Sequence, residues 1–164
     1  MLRNVIAAAM MLWAPISASA QMQIHRVDTC FEDPIAALRL SQLEQGIGQC
    51  DKLIEDQATP PTRRGEALAQ RGLMRAHMFT IVATPGQATL AMATQGIADI
   101  TESLRLHTPA MARRNLLLVI RAQLYIATGQ TRRASDDFVA VLRDDPDNAA
   151  AKRGRDRLGP AEGL

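Results

Sequence analysis

The sequence predicts an all-α chain built from helix-turn-helix units, on three observations. Alanine, leucine and arginine dominate its composition, and all three favour helix. Apolar residues recur at steps of three and four, and nothing reads as strand. Arg71-Gly72 and Arg121-Ala122 each place a small residue after an arginine inside an apolar-periodic stretch, and an aspartate recurs downstream of each, Asp99 and Asp137.

Residues 1–20 read as a signal peptide. Arg3 gives a positive start, 5–13 form an uncharged apolar core, and Pro15 breaks it. Ala18-Ser19-Ala20 is then a small-residue cleavage site before Gln21. The core is far shorter than the roughly 20 residues that a spanning helix needs. A retained membrane anchor is the alternative. No cysteine follows the cleavage site directly, which argues against lipid attachment there. Cleavage leaves 144 of the 164 residues, enough for one domain with a core.

Residues 21–40 are expected to be an N-terminal arm. Asp33-Pro34 can open a helical turn there, with Asp33 as the cap. Cys30 and Cys50 are the only two cysteines. In an oxidising compartment the simplest reading is one disulfide, worth about 3 kcal/mol by chain entropy. They lack the C-x-x-C spacing of a catalytic dithiol. His25 lies near Cys30, but no second histidine completes a metal-ligand set.

The first helix is expected from Ser41, because Ser41-Gln-Leu-Glu44 is a capping box. Leu43, Ile47, Cys50 and Ile54 make its apolar face. Gly46 and Gly48 suggest close contact with a neighbouring helix, and Pro60-Pro61 ends this segment. The second helix runs from Thr62 to Val82, with Leu68, Gly72, Ala76 and Phe79 on one face. A turn at Thr84-Pro85-Gly86 follows. The third helix covers Gln87 to Leu106, with Ala93, Ile97, Ile100 and Leu104 inward. The fourth starts at Pro109, capped by Thr108. Its buried stripe is Leu117, Leu118, Arg121, Ala122, Tyr125 and Ile126, and Gly129 closes it in the left-handed conformation. The fifth covers Thr131 to Arg143, with Ala134, Phe138, Val141 and Leu142 inward. A last helix runs from Asn148 to Leu158, and 159–164 form a flexible tail. The helical domain is thus 41–158.

Charge is nearly balanced. Without Arg3 there are 18 basic and 17 acidic residues, which offers no strong field for nucleic acid or acidic membranes. Aromatic rings are scarce, so a base-stacking surface is not expected either.

The best unit lies at about Asn115 to Pro146. Ala122 and Ala134 take small positions twelve apart, Tyr125 an aromatic one, and Pro146 closes the unit. Glu66 to Gly72 and Ala98-Asp99-Ile100 match in part. On these residues the chain resembles small exported tetratricopeptide (TPR) repeat proteins of Gram-negative bacteria. The resemblance implies a helix-turn-helix solenoid of about two full repeats with terminal half-repeats, a periplasmic location, and a protein or peptide partner on the concave face. Arg153-Gly154 echoes Arg71-Gly72 and suggests a polar capping half-repeat. The spacing departs from the family, since Gly72 and Gly96 are 24 apart.

By offset from Gly72 and Ala122, the concave lining should include Ala69, Leu73, Ala76 and His77, then Leu116, Val119, Gln123 and Ile126. Leu73, His77, Val119, Gln123 and Ile126 are the expected partner contacts. A charge at Val119 should remove a partner while leaving the fold intact. The groove takes an apolar or helical segment of a partner, or is filled by residues 21–40 as a self-capped module. An enzyme using His77, His107 or the Asp99 and Asp137 pair is the third class. No catalytic, cofactor-binding or metal residue is assigned. Asp99 and Asp137 are expected on the polar side of their helices, and the histidines in structural places. The pairs Arg63-Arg64, Arg113-Arg114 and Arg132-Arg133, with Lys152-Arg153, read as solvated faces or as a patch for an acidic partner.

Overall fold

The protein is described by a computed structural model covering residues 29–31, 40–82 and 86–159. Every regular element among these residues is helical, so the all-α class holds. A 3-10 turn (Thr29–Phe31) precedes α1 (Leu40–Glu55), α2 (Pro61–Ile81), α3 (Gln87–Leu106), α4 (Met111–Ala127), α5 (Thr131–Asp144) and α6 (Ala149–Leu158). The expected signal peptide, the Asp33-Pro34 turn, the 83–85 turn and the tail beyond Gly159 lie outside the described residues.

Local chemistry accounts for most of the ends. Pro61 opens α2, where its missing amide costs nothing. Gly129 has φ 74, Gln130 N donates to Tyr125 O at 2.8 Å, and α4 closes as predicted. The Asn148 side chain accepts from Ala151 N and caps α6. Two starts differ from expectation. Leu40 is already helical, so Ser41 sits inside α1. Thr108 is not the cap of α4, because Ala110 is still extended (ψ 148) and takes the cap position without a side-chain bond. The proline at 109 holds Thr108 away from helical backbone, and the helix starts two residues beyond it.

Consecutive helices pack on one another. In addition α2 touches α4 and α4 touches α6, whereas among the described residues α1 does not touch α3, nor α3 α5. The even-numbered helices therefore form a continuous row flanked by the odd-numbered ones. The main core joins Ile97 and Ile100 of α3, Leu117 and Ala122 of α4, and Phe138 and Val141 of α5. A smaller cluster holds Cys30, Cys50 and Ala67, and a third holds Leu43, Met74 and Met78.

Small residues set the closest approach. A Cβ on Gly72 would stand 2.8 Å from Ile100 Cγ1 and 3.2 Å from Gly96 O, so α2 and α3 meet backbone to backbone. Gly46 is buried, but Gly48 faces open space, with nothing within 4 Å of a Cβ there. Two residues are about 200° of helical rotation, so both glycines cannot face α2. The Arg153-Gly154 echo is one of sequence alone. Gly154 lies against Phe138 of the preceding helix, whereas Gly72 lies against the following one. Ile126 is outside the buried stripe of α4, at 38% exposure.

Candidate functional site

A groove of about 900 Å³ runs between α2 and α4. Its two walls share one row, and α3 packs against both. The α2 wall repeats at helical spacing through Glu66, Ala69, Leu73, Ala76 and Thr80. The α4 wall is Leu116, Ile120, Gln123 and Leu124. Phe31 and residues 107–110 border the end nearest the start of α2.

That end is polar and braced. Arg113 Nη2 donates to Gln70 Oε1 at 2.5 Å, which ties α4 to α2, and Gln70 is buried. His107 Nδ1 donates to Ser103 O at 2.9 Å, which leaves Nε2 as the second ring nitrogen at the groove. Gly65 admits that ring, because a Cβ there would stand 2.6 Å from His107 Nδ1. Arg63 pairs with Glu66 at 3.5 Å and lies 3.6 Å over the centroid of the Phe31 ring.

Leu73, His77 and Gln123 line the groove, as do Ala69, Ala76 and Leu116. Val119 and Ile126 do not. Val119 is 6% exposed and belongs to the core, so the expectation that a charge there would spare the fold is overturned. The groove stripe of α4 is 113, 116, 120 and 123–124, which shares 116 and 123 with the expected 116, 119, 123 and 126 but has 120 in place of 119 and lacks 126. Val119 points about 100° away from Ile120 around the helix, into the core. Ile120 and Leu124 follow Leu116 at steps of four and were legible by that spacing. Phe31, Gln70 and Arg113 carried no such mark.

The recurring aspartates are buried, not on solvated faces. Asp99 is 4% exposed and Asp137 is 6% exposed. Each is gripped by the arginine of the repeated motif. Arg71 reaches Asp99 through Nε at 3.0 Å and Nη2 at 2.6 Å, and Arg75 also bonds Asp99. Arg121 reaches Asp137 through Nε at 2.8 Å and Nη2 at 2.7 Å. Each arginine also reaches back to the preceding odd-numbered helix. Arg71 meets Asp51 at 2.5 Å, and Arg121 meets Thr101 at 3.0 Å. Burial works against the charge of Arg71, but its bonds to Asp99 and Asp51 outweigh that and raise its pKa. Burial opposes Arg121 likewise, and Asp137 outweighs it, with a further contribution from Tyr125. Both oxygens of each carboxylate are engaged, which is a structural use.

The remaining candidates are dispersed. Among the described residues no carboxylate lies within hydrogen-bond reach of the His77 ring, and no cluster of three metal-ligating side chains occurs. Of the paired arginines, Arg64 donates to Asp56 O and Thr59 O, and Arg114 bonds Asp144 at 2.5 Å. Arg153 and Arg155 are exposed. Cys30 and Cys50 form a disulfide between the 3-10 turn and α1. Among the described residues no helix is long and apolar enough to cross a membrane. No family model, no curated protein and no solved structure matches the chain.

Proposed function

We propose that the protein is an exported TPR-like solenoid of about two full units with terminal half-units, acting as an adaptor that holds an apolar segment of a partner protein between α2 and α4. The contacts between alternate helices support the solenoid, as does the repeated arginine tie from preceding helix to following aspartate. Asp51 to Arg71 and Thr101 to Arg121 have the same chain spacing.

The groove itself carries the binding reading. It is apolar along its walls, bounded by a few placed polar groups, and of the size that ligand sites have. From Thr62 to Thr80 it extends about 27 Å along α2. That length accommodates an extended segment of about eight residues or about five turns of helix.

A photo-reactive residue in place of Gln123 tests this in the native compartment. It should capture one partner, with capture lost in Leu116→Asp, an exposed site on the groove wall, and kept in Val139→Asp, an exposed site outside the groove. Capture of the chain's own residues 21–40 alone would replace the adaptor with a self-capped module.

A further inference from the structure

The 3-10 turn that carries Phe31 is attached in few places. Among the described residues it touches α1 and α2 and no other helix. Cys30 is fully buried, bonded to Cys50 of α1 and packed against Ala67 of α2. Phe31 follows it directly. Its ring lies under the Arg63 guanidinium at the start of α2, and it lines the groove beside Thr62 and Glu66. The disulfide and the main core share no residues, because that core is built from α2 to α6.

We propose that Phe31 is a ligand-contacting end wall of the groove, and that the Cys30–Cys50 disulfide is the element that positions it. This rests on the groove being the binding site. The ring offers an aromatic face at the end that also holds Pro109 and Ala110, beside the polar groups Glu66, Gln70, His107 and Arg113. A segment lying in the groove therefore meets an aromatic surface with its last residue, and an apolar residue there is favoured over a charged one. The helical walls persist without the turn, but the end wall does not.

The probe is 1-anilinonaphthalene-8-sulfonate, an amphiphilic dye whose emission rises in apolar sites. Bound dye should be lost in Leu116→Asp, which puts a charge on an exposed part of the groove wall, and kept in Val139→Asp. Phe31→Ala and the pair Cys30→Ser/Cys50→Ser should each weaken binding about three- to tenfold, the scale of part of one aromatic contact. Combining them should weaken it no further, because both act through one ring. Phe31→Tyr should restore wild-type affinity. Circular dichroism checks that each variant is helical, and Phe31→Ala keeps the disulfide, so it does not depend on the cysteine variants folding. Wild-type affinity in Phe31→Ala, with binding lost in Leu116→Asp, would overturn the end wall and leave the groove standing. Dye retained by Leu116→Asp would remove the groove reading and the end wall together.

Discussion

Arg121 holds Asp137 by a two-pronged bond across the α4–α5 hairpin, and both side chains are largely buried, at 15% and 9% exposure. Arg71 holds Asp99 in the same manner across α2–α3. Removing one partner of such a pair strands a buried charge. Asp137→Asn should cost about 3 kcal/mol in urea unfolding, and Arg121→Leu/Asp137→Leu should cost less than either single change. A double variant worse than both singles would show that the pair contributes net stability beyond charge balance. Arg121→Lys should not restore the loss, because an ammonium cannot make the paired bond.

The glycines of α1 and α6 should respond in opposite directions. Gly154→Ala drives a methyl into the Phe138 ring, which is 1% exposed and has no room to move, and should destabilise by about 2–3 kcal/mol. Gly48→Ala meets open space within a helix and should stabilise by about 0.5–1 kcal/mol. Shifts in the denaturant midpoint at constant slope read both.

The disulfide closes 20 residues of chain. Untreated protein should weigh two hydrogens less than the reduced form. Cys30→Ser/Cys50→Ser should lose about 3 kcal/mol of stability by chain entropy. Free thiols in the untreated protein would rule the bond out in that preparation.

Val119→Asp and Gln123→Asp separate the core from the groove on one helix. Val119 is buried, so a carboxylate there should cost about 4 kcal/mol or more and abolish the cooperative thermal transition. Gln123 is exposed at the groove wall, and its substitution should move the melting temperature little.

Helices and turns were largely legible because their causes are local. Gly129 must adopt positive φ, Asn148 offers a side-chain oxygen, and the boundaries of α3 follow from its apolar spacing. The close crossing of α2 and α3 likewise follows from the missing side chains of Gly72 and Gly96. The fate of Asp99 and Asp137 was hidden, because it depends on which arginines arrive from another helix. The groove was legible in outline through Leu73, His77 and Gln123. It was misread at Val119 and Ile126 because the groove residue after Leu116 is Ile120, a step of four and not three, and Leu124 rather than Ile126 accompanies Gln123. Phe31 was invisible because a covalent link, not a helical period, brings it there.

Among the described residues, each helix borders neighbours one or two places away in the chain. Few contacts therefore wait on the meeting of distant stretches, and the entropic toll of closing large loops is small. Assembly can proceed hairpin by hairpin as the polypeptide emerges, each new pair docking on the one before it. The terminal helix α6 has only α4 and α5 to hold it, so it should be the first to exchange its amide hydrogens with solvent.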